Sequence, residues 1–521
     1  MANREELLII RSARAGQPQA QLALGKRYLF GSTNLPQSHP TALHWLEKAA
    51  EQNQQEAWML IGEHVSFAVA RQVDDPLRVA LWYERAFESK SARAGLVFAM
   101  LVFSCWLRAD VGLRQKSMRA LKAAAENGIA DAQWLLAQQL GMHDLLAVRE
   151  SQPIAPQVSQ QRSQIVEWAT KAALGGVAEA QLALADYSWQ QGDVTKFMLW
   201  ALPIAQDLDR RLHGPMGQRF RLNKQQLTLF LRCAQAMMQQ AEPNLPLTER
   251  YLKIAAEGGN PQAQLAFGLW AARMDDHGRR VRRMPGVAHY KKAIRWLSLA
   301  AENGEAAAWF AISRIYLKPE FSRRSINESR RCLELAGAAG HRAAQFELAQ
   351  IAWRARRVDT RADVRAVYWL QKAASQGHEA ALSMLNRVAP PVRRPDWAVT
   401  ARASFNRDIS SQYPFLAARV ELAYWFGLSR AEALLIDVDA SDHGHCLEVD
   451  IRETHPRSRR RLVQILTGEQ RKALERASRV FDIAGAHGDG GPEGNYRQRL
   501  YRFRSLFEQS RTSQTRRARA A

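Results

Sequence analysis

Residues 296–308 read WLSLAAENGEAAA, and this stretch decides the fold. Its tryptophan and its first two alanines are spaced so that they share one face of a helix. The alanines let a second helix approach closely, and Gly304 stands where a helix ends in a left-handed cap. The stretch therefore predicts the end of one helix, a turn at the glycine and the start of another helix.

The same phrase returns along the chain. It reads WLEKAAEQNQQEA at 45–57, WATKAALGGVAEA at 168–180, YLKIAAEGGNPQA at 251–263 and WLQKAASQGHEAA at 369–381, with further copies at 121–132 and 332–344 and a degraded copy at 82–94. Its second small residue recurs mostly at intervals of 36–38 residues. Repeats of this length are typical of helical solenoids. We predict a mainly α, superhelical solenoid over residues 1–388, with insertions near 141–163 and 203–248, the second holding an eroded unit.

The aromatic residue, the two small residues and the glycine of each copy are predicted to hold neighbouring helices together. Tryptophans at this spacing also resemble an aromatic ladder for a ligand, but their recurrence at the packing position favours core packing. The predicted packing residues are Trp45, Ala49, Ala50, Trp168, Ala172, Ala173, Gly176, Ala255, Ala256, Gly259, Trp296, Ala300, Ala301, Gly304, Trp369, Ala373, Ala374 and Gly377.

The repeated phrase resembles the Sel1-like repeat, a relative of the tetratricopeptide repeat with a slightly longer unit. The resemblance covers roughly residues 8–388. It implies a binding scaffold that holds an unidentified protein partner on the concave face of a right-handed superhelix. It implies no substrate and no cofactor.

Composition narrows the function classes. The chain of 521 residues has 73 Lys and Arg against 51 Asp and Glu, a formal charge of +22, which favours acidic partners such as nucleic acid but names none. Four widely spaced cysteines form no CxxC pair, which favours a reducing compartment and no zinc site. No apolar run is long enough for a membrane span, so we expect a cytoplasmic protein without membrane insertion.

A different pattern begins after Val388. Residues 389–396 hold three prolines and read as a linker, and the segment 397–510 predicts helices together with a hairpin of two strands, CLEVDIR at 446–452 and RRLVQI at 460–465. Ser429 and Glu432 are spaced as a capping box. We expect a small α+β domain followed by a basic, disordered tail at 511–521.

The stretch from Arg419 to Val480 resembles the first half of the catalytic domain of tyrosine recombinases. In that family a catalytic arginine follows the Gly-Leu pair, where this chain has Ser429, and Arg430 stands one place late. The hairpin lysine, the second catalytic box and the nucleophilic tyrosine have no counterpart. A chain without them lacks covalent and electrostatic catalysis of phosphodiester transfer, so we expect no enzyme activity.

Two hypotheses about function remain at this point: a protein-binding scaffold built on the repeats, and a DNA-associated protein of a mobile element that uses the recombinase-like segment. Binding to membrane surfaces ranks below both because a strongly cationic amphipathic helix is lacking. The alternative for the C-terminal segment is that it serves only as a cap for the last repeat, and this is slightly favoured over DNA binding. The candidate nucleic-acid contacts are Arg457, Arg459, Arg460, Arg461, Arg471, Lys472, Arg279, Arg280, Arg282 and Arg283.

Overall fold

The computed structural model describes residues 4–32, 35–147, 156–214, 221–281, 284, 286–405, 407–482 and 493–507. The chain divides into two compact units, Met1–Tyr251 and Leu252–Ala521. Both consist mainly of antiparallel helix pairs, which agrees with the predicted mainly α solenoid class. None of the described helices is long and apolar enough to cross a membrane.

In the first unit, a leading helix is followed by helix pairs. The helices are α1 (Arg4–Arg14), α2 (Pro18–Phe30), α3 (His39–Glu51), α4 (Gln55–His64), α5 (Phe67–Ala70), α6 (Pro76–Glu88), α7 (Ala92–Ser104), α8 (Val111–Glu126), α9 (Ala130–Gln139), α10 (Met142–Ala147), α11 (Pro156–Leu174), α12 (Ala178–Gln190), α13 (Val194–His213), α14 (Lys224–Gln239) and α15 (Leu245–Glu257), which crosses into the second unit.

The second unit continues the same pattern and then changes. Its repeat helices are α16 (Pro261–Ala272), α17 (Tyr290–Glu302), α18 (Ala306–Tyr316), α19 (Ile326–Ala338), α20 (Arg342–Ala355), α21 (Ala362–Ser375) and α22 (Glu379–Val388). The C-terminal elements are α23 (Asp396–Ser404), α24 (Arg407–Gln412), α25 (Pro414–Phe426), α26 (Arg430–Leu435), α27 (Val438–Ser441), β1 (Cys446–Val449), β2 (Arg461–Gln464), α28 (Gly468–Asp482) and α29 (496–507).

Each repeat begins with helix A and ends with helix B. In α16 and α17, for example, Gly268 of helix A leaves no room for a side chain, because a Cβ there would lie 2.6 Å from the Leu297 side chain of helix B. Gly25 stands in the same relation to Leu46 in α2 and α3. The repeat core therefore lies between closely spaced A and B helices.

The predicted insertions contain helical structure. The described part of the region near 141–163 includes α10 and the start of α11, so the loop expected there is partly helical. The region near 203–248 holds the end of α13 and all of α14, which form parts of two successive repeats. The longer intervals thus come from lengthened or altered units within the same stack of helix pairs.

The predicted hairpin is present after α27. Strands β1 and β2 pair antiparallel, with Leu447 opposite Val463. The capping box is confirmed, since the Ser429 hydroxyl accepts a hydrogen bond from the Glu432 N–H and the Glu432 carboxylate accepts one from the Ser429 N–H at 2.7 Å. The boundaries 1–388, 389–396 and 397–510 stay predictions.

Candidate functional site

The two helices of a repeat meet at the predicted small residues. The first small residue of each quoted copy is fully buried, and the second is buried as well except at Ala374, which is partly buried. The fully buried positions are Ala49, Ala172, Ala255, Ala300 and Ala373, and their buried neighbours are Ala50, Ala173, Ala256 and Ala301. Side chains of this size allow the close helix contact that the sequence pattern required.

The four tryptophans of the phrase, Trp45, Trp168, Trp296 and Trp369, are half-buried. The Trp296 ring meets Phe267 edge to face, with 5.4 Å between the ring centroids. Trp168 and Trp369 pack against the cores of their repeats. Part of the surface of these rings is therefore used for packing within the repeats.

The turn after helix B has the predicted left-handed backbone. Gly176, Gly259, Gly304 and Gly377 have φ angles of 90°, 87°, 95° and 77°. In the first two repeats, where glycine is absent, Asn53 and Lys90 adopt φ angles of 59° and 75°. The repeat therefore imposes this conformation even on residues with a side chain.

Five of the turns are fixed by a glutamine near the start of the helix A that follows, which is buried in four repeats and partly buried at Gln181; the repeated phrase alone does not predict this role. In five repeats its amide donates to a carbonyl oxygen eight residues earlier, as in Gln345 Nε2 to Gly337 O at 3.0 Å. The other four donors are Gln21, Gln133, Gln181 and Gln264. The recurrence of Ala-Gln at the start of helix A was the available signal.

Two of these glutamines, Gln264 and Gln345, also accept a hydrogen bond from the next turn. Gln376 Nε2 donates to Gln345 Oε1 at 3.0 Å, and Asn303 Nδ2 donates to Gln264 Oε1 at 3.2 Å. Leaving such buried amides unpaired costs about 1–3 kcal/mol each. These hydrogen bonds set the register between successive repeats.

The first unit contains a groove of about 620 Å³ between α9, α10, α12 and α14. Its floor includes the half-buried Leu182 and the buried Trp134, whose Nε1 donates to Glu179 Oε2 at 3.1 Å. Gln190 Nε2 donates to Leu146 O at 2.9 Å and ties α12 to α10. The groove is thus shaped by helices from three successive repeats.

Charges of both signs line this groove. Arg232 of α14 pairs with Asp186 of α12, and its guanidinium lies 5.6 Å from the Trp189 ring centroid. His143 and Lys224 are exposed at the rim. The Asp186 side chain is 48 % exposed, so it retains access to solvent despite its partner. The groove offers an indole, a carboxylate and cations to a bound molecule.

Three of the basic residues proposed as nucleic-acid contacts are engaged elsewhere. Arg460 pairs with Asp363 of α21 and with Glu448, Arg461 pairs with Glu432, and Arg471 pairs with Asp442. Burial alone would raise the pKa of Glu432, but the hydrogen bonds from Arg461 and the Ser429 N–H hold it below its ordinary value. These arginines stabilise the C-terminal region, and their charges are largely compensated.

The other candidate contacts are more open. Lys472 lies 3.2 Å from Glu469 on the surface of α28, whereas Arg457, Arg459, Arg279 and Arg280 are exposed with no ion pair among the described residues. Arg282, Arg283 and the predicted tail at 511–521 lie outside the described residues. The structure therefore does not bring the proposed contacts together as one set.

The hairpin of the C-terminal region packs on the last repeats. Buried Cys446 of β1 and Leu462 of β2 join the same core as Val367, Leu370 and Leu385. Gln464 Nε2 donates to Ala389 O at 2.5 Å, so the predicted linker is held at its first residue. Burial raises the pKa of the Cys446 thiol to about 12, which leaves it protonated and unreactive.

Comparison with known proteins identifies Sel1 repeats in part of the chain. The Sel1 repeat family model matches residues 18–54, 286–305 and 342–378. A protective antigen of uropathogenic Escherichia coli displaying an SLR fold is 18% identical, with a TM-score of 0.44 over 92% of this chain and 95% of that chain. A Sel1 repeat protein from Oxalobacter formigenes is 20% identical, with a TM-score of 0.23 over 74% and 90%. No curated protein matches the sequence.

The first matched segment coincides with α2, α3 and the turn after them, and the third with α20, α21 and their turn. The helix pair is therefore the structural form of the matched repeat. The comparisons do not support the resemblance of segment 397–510 to tyrosine recombinases. The family model identifies Sel1 repeats at the three matched segments.

Proposed function

We propose that this protein is a non-catalytic scaffold that binds another protein through its Sel1 repeats. The observation that carries the proposal is the groove lined by Trp134, Asp186 and Arg232 in the first unit. It lies on side chains from three successive repeats, so a partner bound there contacts a surface that only the stacked helices create. The four cysteines are unpaired, which favours a reducing, cytoplasmic setting.

A polypeptide segment suits the groove better than a small metabolite. The groove is open and long, and it exposes an acid and bases in addition to apolar side chains. Arginine and tryptophan are the residue types that most often dominate protein interfaces. We expect the bound segment to carry an apolar side chain flanked by charges of both signs.

In this proposal the C-terminal region protects the last repeat. The hairpin completes a core that α21 and α22 would otherwise expose, and terminal repeats of solenoids need such a cover. The ion pairs of Arg460, Arg461 and Arg471 weigh against their use as phosphate contacts. We therefore favour the cap over the DNA-binding alternative for segment 397–510.

The test compares two variants of the full chain. Arg232→Gln removes the guanidinium from the groove, and Arg119→Gln, at an exposed position on α8, makes the same change of charge in the same unit. Affinity capture with quantitative mass spectrometry should recover a protein with the wild type and with Arg119→Gln, and about tenfold less of it with Arg232→Gln.

The captured protein is then purified and its Kd measured against each variant by calorimetry. A partner whose affinity is the same for both variants contradicts the assignment to the groove. Near-equal thermal unfolding midpoints of the variants show that the change acts on binding and not on folding.

A further inference from the structure

Four consecutive connections in the second unit each carry two adjacent arginines. Three of them join helix A to helix B of a repeat, and the fourth joins α22 to α23. All eight side chains are exposed. The doublets are Arg279 and Arg280 in 273–289, Arg323 and Arg324 in 317–325, Arg356 and Arg357 in 356–361, and Arg393 and Arg394 in 389–395.

The doublets lie along one edge of the stack. In antiparallel helix pairs all A-to-B connections emerge at the same side. The Lys318 ammonium donates to Gly278 O at 2.7 Å, which joins the first two connections. Arg460 donates to Thr360 O, and Gln464, at the end of β2, donates to Ala389 O, so one short strand spans the last two. We call these four connections the arginine edge.

The arginines of this edge lack acidic partners. None of the eight makes an ion pair with a carboxylate in the part of the chain that the structure describes. Two of the nearby acids are engaged elsewhere, since Asp275 accepts from the backbone N–H of Arg279 at 2.7 Å and Asp359 pairs with Arg365. The unpaired cations repel one another, and a bound polyanion would relieve that repulsion.

Neighbouring aromatic rings hold two of these guanidinium groups. Arg356 lies 4.2 Å from the Trp353 ring centroid, and Arg394 lies 4.4 Å from that of Tyr424. Such contacts orient a guanidinium through its face and leave N–H groups at its edge available as donors, although Arg356 already uses Nη1 to donate to Trp353 O at 2.7 Å. The edge is therefore partly pre-arranged for an anion.

The charge is specific to this edge. From the sequence, the four connections carry a net charge of +9, whereas the B-to-A turns at the opposite side of the same unit, 258–260, 303–305, 339–341 and 376–378, carry −1. General basicity of the chain would have charged both sides. A charge confined to one side is the footprint expected of a binding surface.

We propose that the arginine edge binds the phosphate backbone of a nucleic acid without reading its sequence. The planar guanidinium fork matches phosphate oxygens in a bidentate manner, and every member of the doublets is arginine. Packed helices lie about 8–10 Å apart, so the doublets extend over roughly 30 Å. Duplex DNA of that length carries roughly 17 phosphates, which makes an extended polyanion the matching ligand.

The experiment measures binding of the full chain to a 20-base-pair duplex of random sequence by fluorescence anisotropy across a salt series. Arg323→Gln/Arg324→Gln removes one doublet, and Arg330→Gln/Arg331→Gln removes the same charge from the exposed surface of α19 in the same unit. The first variant should lower the slope of log K against log salt by about 1.8 and weaken binding at least tenfold at low salt. The second should change the affinity less than twofold.

Three results would overturn the proposal. One is the absence of salt-dependent duplex binding at low salt, and another is an equal loss of affinity in both variants. The third is preference for a different polyanion, that is, tighter binding to vesicles with anionic lipid or displacement of the duplex by polyglutamate at equal charge. All eight positions are exposed, and circular dichroism melts confirm that the variants remain folded.

Discussion

The two units of the chain have the same kinds of contacts in their interiors and differ in the charge of their connections. In both, fully buried alanines join helix A to helix B, and in several repeats of each a glutamine ties the turn to the helix that follows. At the A-to-B edge they differ sharply: the six connections of the first unit carry a net charge of −4, whereas the arginine edge of the second unit carries +9. The repeat therefore fixes the spacing of the helices, whereas the charge of the connections between them can vary.

The difference assigns separate tasks to the units. The proposed protein-binding groove lies in the first unit, where it depends on helix faces, and the proposed phosphate-binding surface lies in the second, where it depends on connections. Substitutions on helix faces are constrained because the same helices must pack closely. Connections tolerate substitution, so they acquire charge at little cost in stability.

The substitution with the strongest predicted effect destabilises the second unit and leaves the first unchanged. Arg419 and Glu493 form a buried pair in the C-terminal region, with 2.6 Å between Arg419 Nη2 and Glu493 Oε2. Arg419→Met leaves the carboxylate buried without its main partner and should lower the free energy of unfolding by about 3–5 kcal/mol. Hydrogen exchange should show loss of protection in 397–507 and none in the first unit. Adding Glu493→Leu should restore much of the loss, and failure to do so would count against a charge-based cause.

A smaller effect should appear equally in both units. Ala172→Leu in the first and Ala300→Leu in the second place a large side chain at a fully buried contact, and each should destabilise its unit by about 1–3 kcal/mol. Ala178→Leu, at an exposed position, is the control. Chemical denaturation followed by hydrogen exchange measures the effect in each unit. A large effect in one unit only would show that the interiors are less alike than they look.

The turns offer a smaller and opposite pair of effects. Lys90, with φ of 75°, should gain about 1 kcal/mol of stability on Lys90→Gly, because glycine adopts this backbone without strain. Gly304→Ala, at φ of 95° with open space around it, should lose a similar amount. Thermal unfolding midpoints measure both. The same sign for both substitutions would refute the role given to the turn.

The smallest effect depends on pH. His341 caps α20 through Nδ1, which accepts from the Ala344 N–H at 3.2 Å, and burial together with Arg342 and Arg314 lowers its pKa. The neutral ring is thus favoured by folding, so its stabilisation is present above the ordinary pKa of about 6.5 and is lost as the pH falls below it. Between pH 7.5 and 5.5 the free energy of unfolding of the wild type, measured by chemical denaturation, should fall relative to that of His341→Asn by at most about 0.5 kcal/mol. An unchanged difference would mean that the cap does not titrate.

Local patterns made much of the fold predictable. The alanine pairs, the turn glycines and the Ser429 capping box depend on residues close in sequence, and the structure contains each of them. The groove, by contrast, brings together residues of α9, α10, α12 and α14. It cannot be predicted from the sequence pattern of a single repeat, because its lining comes from several repeats. Arg460 and Asp363 are 97 positions apart, so their pairing could not be read from the basic run at 459–461. From the sequence alone, the run predicts a phosphate contact. In the structure its central residue, Arg460, forms ion pairs with Asp363 and Glu448.

The glutamine ties also bear on how such a chain can change its length. Gln264 and Gln345 each donate one hydrogen bond to the preceding repeat and accept one from the turn that follows, so the repeats that contain these two residues have the same pair of polar connections. A block that runs from one of these glutamines to the residue before the other, residues 264–344, can be duplicated or excised, and the joint that results closes with the same bonds. A deletion of two or three residues inside helix A, in contrast, would turn its glutamine away from both of its hydrogen-bond partners. These side-chain hydrogen bonds are therefore compatible with lengthening of the chain by whole repeats.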